Sequence, residues 1–192
     1  MDEAEPPPPD EYIISGEYFD TIPCNLNLSG FELGRGHEIG VERALQAVLK
    51  PLKTSYDIIL IDTEPSLGVL TINALTASDG ILITVTPQLI SAVGMKLLLE
   101  TVHKIKKHIN PNVEVVGAIM TMCDTRTNLY KEVSEILAQT YGQTIRIFNT
   151  IIPHFTKVGE SLLRQQSVLQ YDANSKPAQA YLTAAKELME IA

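Results

Sequence analysis

The chain has 192 residues, 45% of them hydrophobic and 20% charged, with a formal net charge of -8. That is enough apolar sequence for one sizeable core in one domain, and no apolar run is long enough to span a bilayer. Asp2, Glu3, Glu5, Asp10 and Glu11 crowd the first eleven residues, leaving about -3 for the remainder, so net charge does not exclude a local basic face.

Residues 1–11, with Pro6 to Pro9 in a row, have the composition of an extended or disordered tail, and their acidic character does not read as a secretory signal. Residues 12–192 are expected to form a single α/β domain. Tyr12 to Ile14 and Tyr18 to Pro23 read as short extended pieces. The glycines from Gly30 to Gly40 predict a flexible loop; without a Gly-Lys-Ser/Thr ending, the stretch is not a phosphate loop. Apolar residues at Ile39, Val41, Leu45, Val48, Leu49 and Leu52 predict a helix over 37–52, ending near Pro51.

From Tyr56 the pattern becomes regular. Strands are predicted at 57–62, 80–86, 113–121 and 144–148, and helices near 68–77, 91–109, 127–140, 157–164 and 176–191. Alternation of this kind means right-handed crossovers and a mostly parallel sheet with helices on both faces. Ile58, Ile59, Leu60 and Ile61 run without polar interruption, as in a strand covered on both faces. Cys24 and Cys123 lack metal-ligand spacing and read as reduced thiols of a cytoplasm.

Polar residues gather where predicted strands end: Asp62-Thr63-Glu64-Pro65-Ser66, Thr86-Pro87-Gln88, and Asp124-Thr125-Arg126-Thr127. Ligands of open α/β sheets bind at the carboxyl ends of strands, so these loops are expected to converge on one crevice. Asp62 there fits a magnesium-ordering carboxylate of phosphate chemistry, and equally a strand-end aspartate capping Ser66 or the next helix. Asp124 with Thr125 and Thr127 also reads as a helix N-cap region. No stretch supplies G-x-x-x-x-G-K-[ST], the loop whose backbone amides and lysine cradle a triphosphate.

The segments Tyr56 to Ser66, Leu67 to Leu75, Thr121-Met122-x-Asp124-x-Arg126-Thr127-Asn128 and Ile152-Pro153 together resemble the ParA (Soj) family of chromosome and plasmid partition ATPases. These are deviant-Walker P-loop NTPases related to MinD. The resemblance runs from about Tyr18 to the carboxyl terminus. It implies ATP and Mg2+ as cofactors, a homodimer, DNA binding without sequence preference, a ParB-like protein partner, and a cytoplasmic, nucleoid-associated location. By the same resemblance Asp62 matches the Walker B aspartate that orders magnesium. Asp124 and Arg126 match the Asp-x-Arg-Thr near the nucleotide base, and Pro153 matches the Ile-Pro loop against adenine. Glu160 corresponds to a glutamate of the following helix. Lys157 and Arg164 would belong to a DNA-facing surface, or else are solvated helix charges.

The family's first strand, its Lys-Gly-Gly-x-Gly-Lys-Thr loop, the next helix and a strand bearing the water-positioning aspartate have no counterpart here. The chain is therefore expected to be incomplete at its N-terminal end and hydrolysis-deficient as it stands, with the strand at 57–62 left with an unpaired edge or a rearranged neighbour and the chain prone to association. Glu64 replaces the first proline of the usual Asp-x-Pro-Pro, and Gln165-Gln166-Ser167 departs from Gly-Lys-Pro. A non-catalytic binding module for DNA or a ParB-like protein is the alternative. A membrane-cycling MinD type would want a basic amphipathic C-terminal helix, whereas 178–192 sets Lys186 against Glu187 and Glu190.

Overall fold

The computed structural model describes residues 7–25, 27–35, 38 and 40–191. These cluster into two compact units, one holding residues up to Asp79 with Thr101–Val113, the other Gly80–Glu100 with Glu114 onward.

In the first unit, Pro9–Glu11 forms a 3-10 turn, so part of the expected tail is ordered into a local turn, while residues 1–6 lie outside the described residues. The two extended pieces meet in a single antiparallel bridge, Ile14 to Thr21. The expected glycine-rich loop is instead helical: α1 spans Asn27–Arg35. Its start is supported locally, because the Asn25 side chain accepts the Asn27 amide at 2.9 Å and so offsets the poor helix propensity of Gly30 and Gly34. The helix expected over 37–52 is broken, with Gly36, His37 and Ile39 outside the described residues. Gly40 takes a left-handed φ of 88°, a 3-10 turn follows at Val41–Arg43, then α2 (Ala44–Leu49), then a 3-10 turn over Lys50–Thr54 that accommodates Pro51 at its start.

Helix α3 (Val69–Ala77) is nearly all buried, and its polar groups are satisfied. Thr71 donates to Ser66 O, Thr76 to Ile72 O, and the Asn73 carbonyl accepts the Leu45 amide at 3.0 Å. Asn110 closes the helix's far end by donating to the carbonyls of Thr76 and Ser78. Leu49, Leu52 and Ala77 form this unit's core, with Tyr12, Leu45, Tyr56, Ile59 and Ile61 packed on it.

The predicted strand at 57–62 does not form. Residues 58–64 carry no regular structure; Ile59 and Ile61 pack inward, whereas Ile58 and Leu60 are 51% and 83% exposed. The backbone is extended enough to alternate, but a strand needs a hydrogen-bonded neighbour and none pairs with it among the described residues.

The second unit is a parallel three-stranded sheet in the order β1-β2-β3, where β1 is Gly80–Val85, β2 is Glu114–Cys123 and β3 is Ile147–Pro153. The third strand begins later than the expected 144–148, because the chain leaving helix α5 (Asn128–Tyr141) turns through Thr144 and Ile145, whose amides both bond to Tyr141 O. On one face Ile83, Val85, Ala118, Met120 and Cys123 pack against Met95 of α4 (Leu89–His108) and Val133 and Leu137 of α5. On the other, Ile119, Phe148 and Ile152 meet Ala180, Ala184 and Leu188 of α8 (Lys176–Met189). Burying each large apolar side chain contributes about 1.5–3 kcal/mol. Helices on both faces of a parallel sheet are the expected architecture. Between β3 and α8 run α6 (Thr156–Leu163) and α7 (Val168–Tyr171), the latter started by a Ser167–Gln170 capping box.

Candidate functional site

In a parallel sheet all strands end on one edge, so Asp124 after β2 and His154 after β3 emerge side by side. The ladder itself ties them: Cys123 pairs with Pro153, and the His154 amide donates to Cys123 O at 3.0 Å. Pro153 is half-buried there, and having no N–H it closes the strand.

The approach to Asp124 is irregular. Between Met120 and Cys123, β2 carries one residue more than β3 does between Ile151 and Pro153. Met122 takes a φ of 54° and is 65% exposed. A bulge of this kind bends a strand and redirects the residues after it. Nothing in the sequence marks Met122 for that conformation.

Asp124 is then fixed by its neighbours. Arg126 Nε and a terminal nitrogen donate to Oδ1 and Oδ2 at 2.9 and 2.8 Å, and the Arg126 amide reaches Oδ1 at 3.1 Å. Those bonds from Arg126, side chain first, hold the Asp124 carboxyl down at about 2. The N-cap of α5 is Thr127, whose hydroxyl accepts the Tyr130 amide, so Asp124 is not the capping residue. Burial pushes the nearby Cys123 thiol up to about 11, which leaves it a packing group and not a nucleophile.

Asp62 belongs to the first unit and is described by itself. It is exposed and has no hydrogen-bond or ion-pair partner among the described residues. The turn after it is tied instead through Glu64, which accepts the Ser66 hydroxyl at 2.8 Å, while Ser66 Oγ accepts the Gly68 amide at the start of α3. Asp62 thus caps neither Ser66 nor the helix.

On α6, Lys157 is bound to Asp172, a bond that raises the lysine above its ordinary value and lowers the aspartate. Glu160 accepts the Tyr171 hydroxyl at 3.0 Å. Arg164, at the C-cap of α6, is exposed; its side chain makes no hydrogen bond or ion pair among the described residues, but its charge acts on the Tyr171 hydroxyl. Of the two basic residues, only Lys157 is held in an ion pair among the described residues.

The carboxylate least visible from sequence is Glu187. Set in α8 on the stripe of Ala180, Ala184, Leu188 and Ile191, it lies on the apolar face, and that position was the available signal. Its two oxygens accept the Asn149 and Thr150 amides at 2.9 and 3.0 Å. Burial pushes its pKa up, but the bonds from Thr150, Asn149 and Arg146 outweigh it and hold the group below its ordinary value.

Magnesium is met by one or two carboxylates plus phosphates and water, and a free Asp62 suits that role. Among the described residues no three His, Cys, Asp or Glu side chains gather as a metal cluster. A triphosphate, by contrast, does not fit the residues present: these 192 residues hold no Gly-Lys-Ser/Thr cradle, and Glu64 adds charge of the wrong sign beside Asp62.

A profile of a family described as an AAA domain matches residues 9–115. The chain is 37% identical over 172 residues to the sporulation initiation inhibitor protein Soj of Bacillus subtilis, covering 90% of this chain and 67% of that protein. It is also similar to the structure of cobyrinic acid a,c-diamide synthase from Mycobacterium smegmatis with bound ADP and magnesium. There the identity is 27% and the TM-score 0.79, over 95% of this chain and 67% of that one. A plasmid partition protein from Borrelia burgdorferi bound to AMPPNP matches at 25% identity and a TM-score of 0.72, over 95% and 67% of the two chains. The chain spans about half to two thirds of the length of the curated relatives it matches.

Proposed function

This chain belongs to the ParA/Soj family of partition ATPases, and we propose on that premise that it serves the segregation of plasmid or chromosomal DNA with a ParB-like partner. ATP and Mg2+ enter this reading from the family alone, since these 192 residues hold no cradle for the triphosphate; a homodimer is its working form, and the cytoplasm, at the nucleoid, its location. The observation that carries it is the pairing of Asp124 with Arg126 beside Pro153 at adjacent strand ends. In this reading Asp124, Arg126 and Pro153 contact the nucleotide base, and Asp62, taken by itself, orders magnesium. Among the described residues no helix is long and apolar enough to cross a membrane.

A second reading is favoured by Asp62, which is exposed and has no hydrogen-bond or ion-pair partner among the described residues. In it the chain is a non-catalytic module that keeps the partner-binding or DNA-binding face without turning over ATP. Taken alone, the 192 residues are hydrolysis-deficient in either reading, for want of groups to neutralise the triphosphate.

Calorimetry with ATP and magnesium separates the two. Micromolar binding that is lost in both Asp62→Ala and Asp124→Ala supports a nucleotide site. No heat of binding, with DNA retention that weakens steeply as salt rises and falls in Arg164→Ala, supports the module.

A further inference from the structure

The chain carries a formal net charge of -8, yet its stretch Thr101–Val113 holds three lysines, two histidines and no acid. The stretch forms the last two turns of α4 and the loop beyond, all within the first unit. Helical spacing sorts it into two faces: Val102 and Ile105 are buried, whereas His103, Lys104, Lys107 and His108 are exposed on the opposite arc. Lys106 is half-buried and engaged. The four exposed side chains make no hydrogen bond or ion pair among the described residues.

Cations at a helix C-terminus ordinarily answer the negative end of its dipole. Here Arg43 already serves that end, its guanidinium donating to Ile109 O at 3.4 Å and to Gln46 Oε1 at 3.4 Å. Both acceptors are neutral, so Arg43 adds a further cation to the same helix end. Lys104 and Lys107, three residues apart, are neighbours on the helix surface and repel each other. Glu100, four residues before Lys104, instead meets Lys96 at 4.0 Å. Burying unpaired ammonium groups under a packed segment is unfavourable, so these residues suit water or a polyanion.

We propose that this face of α4 binds the phosphate backbone of duplex DNA, on a different element from Lys157 and Arg164. The proposal rests on the partition reading for the identity of the polyanion. Ammonium groups and imidazole N–H donors in a row meet phosphates without reading base edges, so the contact is independent of sequence and weakened by salt. A membrane surface would take an exposed apolar face, but Val102 and Ile105 are turned into the core. A protein partner would centre on aromatic or apolar anchors, and no large apolar side chain of Thr101–Val113 is exposed.

The test is fluorescence anisotropy of the whole chain on two duplexes of unrelated sequence across a range of salt, with and without ATP and magnesium, beside sedimentation with anionic phosphatidylglycerol vesicles. The expected result is equal affinity for both duplexes and a steep fall with salt. In Lys104→Gln with Lys107→Gln the slope of log affinity against log salt should become shallower by about two, and in either single variant by about one. Lys131→Gln with Lys186→Gln removes the same charge from α5 and α8 and should leave the slope unchanged. Circular dichroism confirms that each variant folds, and the single variants decide the matter should the double one fail to fold. An unchanged slope in the α4 variants overturns the proposal; if binding is lost in Arg164→Ala instead, the partition reading survives without it. An equal loss in the α5 and α8 variant overturns it too, as does tighter capture by vesicles than by DNA. No DNA binding by the unaltered chain overturns it as well, and the ATP calorimetry then decides the partition reading independently.

Discussion

Arg126 grips Asp124 through two parallel hydrogen bonds, 2.9 and 2.8 Å, with a single residue between them in the chain. The fork-to-fork match is the strong, directional form of an ion pair, and the Arg126 amide adds a third contact to the same carboxylate. It is possible because β2 ends in a bulge at Cys123 and α5 begins at Asn128, only four residues lying between them, so the loop has one short path to follow.

Asp124 titrates low, at about 2 against an ordinary 3.8, because of the Arg126 side chain and then its amide. A carboxylate with a depressed folded pKa supports the fold above its unfolded value, and that support is lost as pH falls through the folded one. The loop is therefore expected to keep its geometry down to 3.8 and to loosen between there and about 2. Carbon-detected NMR titration of Asp124 reads this directly. Arg126→Ala is expected to move the midpoint up toward 3.8; an unmoved midpoint would show that the guanidinium is not the cause.

Glu187→Ala should destabilise the second unit by about 2–4 kcal/mol, since two amides of β3 lose their acceptor. Glu187→Gln keeps one carbonyl oxygen and should lose less. Urea denaturation of the two variants checks the order, and equal losses would assign the effect to packing.

Gly117 sits where a Cβ would lie 2.7 Å from the Phe148 ring and 2.9 Å from the Arg146 carbonyl. The carbonyl belongs to the backbone that receives the Ala118 amide, so it cannot swing aside. Gly117→Ala is expected to cost about 1–3 kcal/mol. A thermal midpoint equal to that of the unaltered chain would mean that β2 and β3 separate easily.

Asp62→Asn should leave stability unchanged within about 0.5 kcal/mol, because the side chain is exposed and touches no partner. This makes it a clean probe of magnesium. Any large drop in thermal stability would reveal a structural role that the geometry does not show.

From Val69 onward the elements were legible. Apolar spacing placed α3, β1, α4, β2, α5 and α8 within a few residues of where they lie, because each carries its own period and its own punctuation, such as Thr127 before α5 and Pro177 in the first turn of α8. The Asp-x-Arg pair was legible too, since both residues fall in one short loop. Upstream, where Gly30 and Gly34 compete with the local cap at Asn25, glycine content misled and α1 appeared in place of a loop.

Sequence alone thus determined the alternation of strand and helix, the parallel sheet with helices on both faces, and the family to which the chain belongs, all of which follow from local pattern and short motifs. Tertiary structure decided the rest. Ile58 to Ile61 has the composition of a buried strand, yet with no paired neighbour among the described residues it forms none. Lys157 reads as a surface cation, yet Asp172, fifteen residues on, takes its charge. Glu187 reads as a helix-surface acid and instead caps a strand 37 and 38 residues away. Hydrogen bonds and ion pairs between distant segments depend on which backbones the fold brings together, and that information is carried by no single stretch of the chain.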